Sequence, residues 1–296
     1  MVEFRDPAIE RKSSLVNKAL VCSKDGVPLP SVVEVSESGT CNRDCSFCPR
    51  SDSNYPDDKT FIDPALIDSI SCQLADVGFK GMFLFSGFCE PLLDNNIYDL
   101  VAIVHGNLPA ARVEMVTNGD VLDASRLKRL FDKGLDTLLI SVYDGKEEAD
   151  AFEALCRSVG LRDDQFIIRK RYLPREQNFG ITLSNRAGLM GGAEFAIPAL
   201  AEPLQMPCSY PHYTFFFDYT GDVLLCPHDW GKKQVVGNLS KQDFMDIWIS
   251  PKMSVARRRL ASKDRAFSPC NVCDVKGMLI GGDHVRAWRA HDEKKL

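Results

Sequence analysis

Between Ser31 and Leu183, short apolar runs alternate with amphipathic stretches, and this alternation restricts the fold more than any other feature of the chain. Ser31–Ser36 (SVVEVS) is short and β-branched, as strands are. Gly81–Ser86 (GMFLFS) is almost continuously apolar, the pattern of a parallel strand covered on both faces. Arg112–Thr117 (RVEMVT), Thr137–Val142 (TLLISV) and Phe166–Leu173 repeat the signal, and a short strand is expected near Gly180–Leu183. Helices fall between them. Asp63-Pro64 offers an N-cap followed by proline at the first helical position, and Gly78 ends that helix. Further helices are expected at Ile97–His105, Ala124–Lys133 and Glu147–Val159. Six strands with intervening helices predict an α/β fold, an open parallel sheet or a barrel. Catalytic groups in such folds sit on loops at the carboxyl ends of the strands.

The pattern changes beyond residues 198–207, whose three prolines read as a linker. Tyr213–Asp218 (YTFFFD), a Thr220-Gly221 turn and Val223–Cys226 predict a hairpin. Ser240-x-x-Asp243 predicts a capping box opening a helix through Ile247 and Trp248, and Arg257–Arg259 are expected on a solvated helix face. The expected organisation is an N-terminal extension at 1–30, a larger α/β domain at 31–200 and a smaller α+β domain at 201–296.

A formal net charge of −5 argues against a general nucleic-acid binder. The charged N-terminus lacks the apolar core of a secretory signal, and no run of apolar residues is long enough to span a membrane. A cytoplasmic location is the expectation. Eleven cysteines in a reducing compartment do not predict disulfides. Seven form two groups, Cys41/Cys45/Cys48 and Cys208/Cys226/Cys270/Cys273. Metal is the natural reading, and from spacing alone zinc and iron–sulfur both remain open. Cys22, Cys72, Cys89 and Cys156 are expected as small buried apolar residues.

C-x3-C-x2-C with Phe47 before the last cysteine, on the loop after the first strand of a βα array, resembles the radical SAM superfamily. The resemblance implies a partial (β/α)6 TIM-like barrel. It also implies a [4Fe–4S] cluster on Cys41, Cys45 and Cys48, whose fourth iron is chelated by S-adenosylmethionine (SAM). The turn S-G-F-C-E-P-L-L (Ser86–Leu93) is similar to the family's Gly-Gly-Glu-Pro turn at Gly87, Glu90 and Pro91, with Cys89 where a glycine is usual. By the same resemblance Glu90 receives the SAM ammonium. Thr117, Asn118, Ser141 and Arg169 are candidates for SAM contacts at strand ends.

The second group resembles the twitch domain, the shortened SPASM extension, through G-D-V-L-L-C, V-G-N-L, D-I-W and the final C-x2-C. That implies one auxiliary [4Fe–4S] cluster held by four protein thiolates. Saturated in this way, it suits electron transfer. The cysteine spacing looks similar to that of the radical SAM aminocyclitol dehydrogenase group. The implied activity is oxidation of a sugar- or cyclitol-like alcohol to a ketone by a 5′-deoxyadenosyl radical, with the auxiliary cluster accepting an electron.

The implied partners are a small-molecule substrate and an electron donor such as flavodoxin or ferredoxin. Arg186, in S-N-R-A-G, and Tyr210 are the candidate catalytic residues, although arginine is a poor base. His212, His228, Asp229 and Tyr172 are further candidates at the domain junction. The alternative is modification of a peptide or protein, against which the roughly 30 residues before the first strand count as too few for a packed recognition module.

Overall fold

The computed structural model of the protein describes residues 7–18, 20–173, 184–192 and 196–294. Helix α1 (Pro7–Lys18) precedes β1 (Val32–Ser36), and a small ladder pairs β2 (Ser38–Gly39) with β3 (Asp58–Phe61). The βα array follows as α2 (Pro64–Asp76), β4 (Met82–Phe85), α3 (Ile97–Asn107), β5 (Arg112–Thr117), α4 (Ala124–Asp132), β6 (Thr137–Val142), α5 (Lys146–Ser158) and β7 (Phe166–Lys170). The C-terminal part holds α6 (Tyr210–Tyr213), β8 (Thr214–Asp218), β9 (Asp222–Leu224), β10 (Val235–Asn238), α7 (Phe244–Trp248), α8 (Pro251–Ala261) and α9 (Gly282–Glu293).

One eight-stranded sheet runs in the order β10-β9-β8-β1-β4-β5-β6-β7. The six strands from β8 to β7 are parallel, and β9 and β10 are antiparallel. This is the expected α/β architecture, a partial TIM-like barrel with a small C-terminal unit. The expected short strand near Gly180–Leu183 lies outside the described residues. Among the described residues the sixth parallel strand is instead β8, in register from Val32↔Thr214 to Ser36↔Asp218. The hairpin read from the sequence therefore exists, and its first strand is laid along the free edge of β1. Local pattern predicts a strand without naming its neighbour, because pairing is decided by the whole sheet.

Alternation along each strand separates two environments. Val33, Val35, Phe83, Phe85, Val113, Met115, Leu138, Ile140, Phe215 and Phe217 pack into one apolar core with Ile67, Ile70 and Leu74 of α2 and Leu127 and Leu130 of α4. The residues between them, Glu34, Ser36, Glu114 and Ser141, face the other side of the sheet and are buried there. Helix α1 contributes Arg11 to this inner side. Its guanidinium grips Glu114 at 3.0 and 2.5 Å and reaches the Thr137 hydroxyl at 3.2 Å.

Three expectations are corrected. Arg257 is not solvated: only 2 % exposed, it lies 3.9 Å from the rings of both Trp248 and Trp288 and donates to the carbonyls of Pro211 and Trp248. Guanidinium–indole stacking in a desolvated site contributes about 1–2 kcal/mol per ring. The charge run in the sequence concealed this, because a periodic apolar face is what normally marks a buried helix side. Ser240 does not open α7 either. Asp243 occupies the N-cap without a side-chain cap bond, and Ser240 sits in the preceding turn. Finally, Cys22 and Cys72 are exposed, whereas Cys156 is fully buried in the main core as expected.

Candidate active site and metal centres

The chain leaves β2 through Thr40 directly into the first cysteine group. Cys48 N–H donates to the Cys45 carbonyl at 2.8 Å, closing a turn that sets the three thiols on one loop. Two arginines within or beside the motif fasten this loop. Arg43 donates to Asp120 at 2.7 and 2.5 Å and to Asp144 at 2.8 Å, and its guanidinium lies over Tyr143. Arg50 donates to the carbonyls of Phe88, at 2.9 and 2.6 Å, and Gly39, at 2.7 Å. It thereby joins the cysteine loop to the turn after β4. Neither arginine was singled out from the sequence, although both lie within two residues of a cysteine. Phe47 packs against Tyr143 with ring centroids 5.1 Å apart.

The Ser86–Leu93 turn folds tightly beneath this loop. Gly87 has φ +102°, and a Cβ there would lie 2.8 Å from Cβ of Ser36, so only glycine fits. Glu90 is 2 % exposed and accepts three hydrogen bonds: from the Leu92 N–H at 3.0 Å, the Thr117 hydroxyl at 2.6 Å and the Asn118 N–H at 2.7 Å. Burial nevertheless raises its carboxyl to about 7. A carboxylate held this way favours a cation in contact with it. Asn118 completes the junction, its amide reaching Asn42 at 2.8 Å and Sγ of Cys41 at 3.9 Å. Ser141 accepts from Arg169 at 3.3 Å across β6 and β7. Gly87, Glu90, Thr117 and Asn118 are thus gathered around the cysteine loop, while Ser141 and Arg169 lie one and two strands beyond β5 along the sheet.

Cys89 replaces glycine without visible damage to the turn. Its thiol donates to Oε1 of Glu37 at 3.1 Å and accepts from the Ser36 hydroxyl at 3.4 Å. Burial lifts both groups, Glu37 to about 8 and the thiol well above its usual range. A protonated thiol in this setting is inert.

The second group is assembled from separate segments. Arg265, 2 % exposed, donates to the carbonyls of Met206, Pro207, Val275 and Lys276 at 2.6–2.9 Å, clamping the segment before Cys208 to the one after Cys273. Gly277 has φ +70°, and a Cβ there would collide with Sγ of Cys208. Ser209 N–H donates to the Gly277 carbonyl at 2.8 Å. Burial raises all seven thiols of the two groups, Cys45 and Cys270 to about 12 and Cys273 to about 11, and neighbouring thiolates add to the rise at Cys41, Cys45, Cys226, Cys270 and Cys273. Thiolates crowded in this way ionise together only against a positive core, so the donor sets fit thiolate-bound iron–sulfur clusters. Among the described residues, no group of three His, Cys, Asp or Glu side chains forms a ready site for a single metal ion.

The segment 184–192 lies between the two groups. Asn185, fully buried, donates its amide to the Val272 carbonyl at 2.7 Å and its N–H to Asp274 at 3.0 Å, so it is fixed to the C-x2-C loop. Arg186 and Ala187 follow with φ +46° and +54°. Two consecutive non-glycine residues in this region are strained, and the anchoring through Asn185 is what holds them there. The Arg186 guanidinium lies over Trp230 at 5.5 Å, and its charge acts on Glu34, Cys48, Tyr210 and His228. Tyr210 in turn stands edge-on to His228, 4.8 Å between ring centroids, and is influenced by Cys208, Cys226 and Glu34. Arg186, Tyr210 and His228 therefore meet between the two cysteine groups.

The other candidates do not. Asp229 is fully buried and accepts from the N–H groups of Lys233 and Gln234, which makes it a turn anchor. His212 is held neutral, at about 3, by burial and then by Arg257, with His284 and Arg289 also near its ring. Tyr172 packs against the main core. Glu34 was missed from the sequence; its signal was a charged residue in an otherwise β-branched strand.

Residues 36–173 match the family model of the radical SAM superfamily, and residues 208–274 match that of the SPASM iron-sulfur cluster-binding domain. The chain is 30% identical over 245 residues to S-adenosyl-L-methionine-dependent 2-deoxy-scyllo-inosamine dehydrogenase of Niallia circulans, covering 82% of this chain and 92% of the relative. Its structure is similar to that of BtrN in complex with AdoMet and 2-DOIA, with a TM-score of 0.69, 29% identity, and coverage of 83% of this chain and 94% of BtrN. The structure of anSMEcpe with bound AdoMet and Cp18Cys peptide gives a TM-score of 0.51 at 12% identity, covering 90% and 97% of the two chains, a likeness of fold alone.

Proposed function

Because the chain belongs to the radical SAM superfamily, we propose that it is a dehydrogenase that oxidises a sugar- or cyclitol-like secondary alcohol to a ketone. The observation that carries this reading is the place where ionisable side chains converge. Arg186 lies over Trp230, which packs on Phe88 and Tyr55 beside the three-thiol loop, and Tyr210 and His228 stand ring to ring, each two residues from a cysteine of the four-thiol group, so a substrate held by them would have one centre on either side. A [4Fe–4S] cluster with SAM at Cys41, Cys45 and Cys48 would supply hydrogen-atom abstraction, and a [4Fe–4S] cluster at Cys208, Cys226, Cys270 and Cys273 would supply an electron acceptor.

The protein's own groups then have distinct tasks. Cys41, Cys45 and Cys48 hold the first cluster and leave a position for SAM. Glu90, already fixed by three donors, receives the SAM ammonium. Gly87, Thr117, Asn118 and Phe47 shape the cleft around it, and Ser141 and Arg169 are offered for its ribose and carboxylate. Cys208, Cys226, Cys270 and Cys273 hold the auxiliary cluster. Trp230, packed 4.7 Å from Phe88 and 5.9 Å from Tyr55, helps exclude water from the space between. Arg186 is suited to orient a substrate hydroxyl. The reductant for the first cluster is proposed to be a flavodoxin or a ferredoxin.

The test is anaerobic incubation of the reconstituted enzyme with SAM, reductant and candidate cyclitol alcohols. The expected products are 5′-deoxyadenosine and a ketone lacking two hydrogens of the substrate. A peptide acquiring a new carbon–sulfur or carbon–carbon bond, with no alcohol consumed, would replace this reading by peptide modification. That alternative has the weaker support, since the peptide-bound relative shares the fold at 12% identity only.

A further inference from the structure

Resting on the dehydrogenase reading, we propose that Glu34 of β1 takes the proton of the substrate hydroxyl. Two carboxylates stand at the same level on the inner side of the sheet, since Glu34 pairs in register with Leu84, and Leu84 with Glu114. Their situations differ. Glu114 is consumed by structure, with Arg11 on both oxygens and Arg112 at 3.1 Å. Glu34 is 7 % exposed, and among the described residues no ion pair within 4.0 Å reaches it. A buried carboxylate left outside every ion pair is costly unless something else meets it.

Charged and titratable groups of several elements act on it: Lys12 of α1, Arg169 of β7 and Arg186 of the 184–192 segment, while Tyr210 and Tyr213 of α6 feel its charge. Burial raises the Glu34 carboxyl, and the three cations and the Ser86 hydroxyl moderate the rise. Ser86 stands at the carboxyl end of β4, which draws the Glu34 side chain toward the mouth of the barrel. Glu34 projects from β1 to the inner side of the sheet, and the charge of Arg186 acts on both Glu34 and Cys48, so the carboxyl and the first cysteine group share one arginine as a neighbour. Arginine itself keeps its proton at any working pH.

The carbinol C–H bond breaks and its hydrogen atom goes to the 5′-deoxyadenosyl radical, giving 5′-deoxyadenosine. The O–H bond breaks heterolytically and its proton forms a new O–H bond on the Glu34 carboxylate. The one electron left on the substrate goes to the oxidised auxiliary cluster, and the carbon–oxygen double bond closes.

The experiment uses the reconstituted holoenzyme and an alcohol that the unaltered enzyme oxidises. Glu34→Gln keeps shape and hydrogen bonding but cannot accept the proton. It is expected to lower ketone formation about a hundredfold while SAM cleavage continues, so that the two become uncoupled. Freeze-quench EPR should then show a substrate radical that accumulates in Glu34→Gln and not in the unaltered enzyme. Glu34→Asp should restore part of the coupling. Lys12→Met, assayed at saturating SAM, should shift the acidic limb of the ketone pH profile upward, because a cation that stabilises the carboxylate is removed.

Ketone formation by Glu34→Gln at the unaltered rate and pH dependence would overturn the assignment. An unmoved acidic limb in Lys12→Met would also overturn it, even if the Glu34 variants did not fold. If the unaltered enzyme yields no ketone from any such alcohol, the dehydrogenase reading fails first, and the two failures are distinguishable.

Discussion

Cys41, Cys45 and Cys48 fall within eight residues of one another, whereas Cys208, Cys226 and the Cys270/Cys273 pair arrive from three separate segments. The first group carries its ligands on one loop and borrows its framework. Arg43 leans on Asp120 and Asp144, Arg50 on the carbonyls of Phe88 and Gly39, and Asn118 reaches in from the end of β5. The second group is itself framework, with Arg265 tying four carbonyls together around it and Gly277 allowing close approach to Cys208. A loop fixed from outside can leave one coordination position for a small molecule. A group woven from the chain closes around its contents. The difference accords with one centre for chemistry and one for electron transfer.

The sharpest test of this contrast removes the first group alone. Replacing Cys41, Cys45 and Cys48 by alanine should abolish 5′-deoxyadenosine formation and reduce iron from about eight to about four per chain. Iron falling to zero would mean that the two groups form one unit. Arg265→Ala attacks the other side. It leaves four carbonyls without their donor and should destabilise the protein by on the order of 3–5 kcal/mol, with loss of auxiliary iron, read by thermal unfolding and iron analysis. Arg50→Ala should cost less, about 2–3 kcal/mol, and should weaken SAM binding while leaving auxiliary iron in place.

Glu90 supplies a pH test of the open site. Its carboxyl sits at about 7, and a bound ammonium favours the ionised form. SAM affinity, measured by calorimetry, should therefore fall as pH drops below about 7, and Glu90→Gln should both weaken binding and remove that dependence. A pH-independent affinity would separate Glu90 from the SAM ammonium.

A separate pH test concerns the buried His284 of α9. His284 bonds the Ser31 hydroxyl at 2.6 Å, and burial lowers it to about 4. Between that value and the ordinary 6.5, the unfolded chain binds the proton and the folded chain does not. The stability contribution is thus present above about 6.5 and is lost as pH falls toward 4, by up to about 1.4 kcal/mol per unit. His284→Gln should flatten that part of the stability profile measured by denaturant titration.

Much of this was legible in one dimension. Apolar runs and capping signals placed β4, β5, β6 and α2 to within two residues, because a strand buried on both faces and a Pro-initiated helix are written in consecutive residues. Residue chemistry and spacing also separated a three-thiol loop from a four-thiol group, since a thiolate ligand requires cysteine and a contiguous site requires short spacing.

What the sequence left open was which groups are already satisfied. Glu34 and Glu114 look alike in VVEVS and RVEMVT, and only the packing of α1 gives Arg11 to one of them. Arg257 looks solvated beside Arg258 until Trp248 and Trp288 close on it. The pairing of β8 with β1, and the anchoring of Asn185 that brings Arg186 between the two cysteine groups, join residues far apart in the chain. Such partners are chosen by the free energy of the whole packed molecule, so no local stretch encodes them.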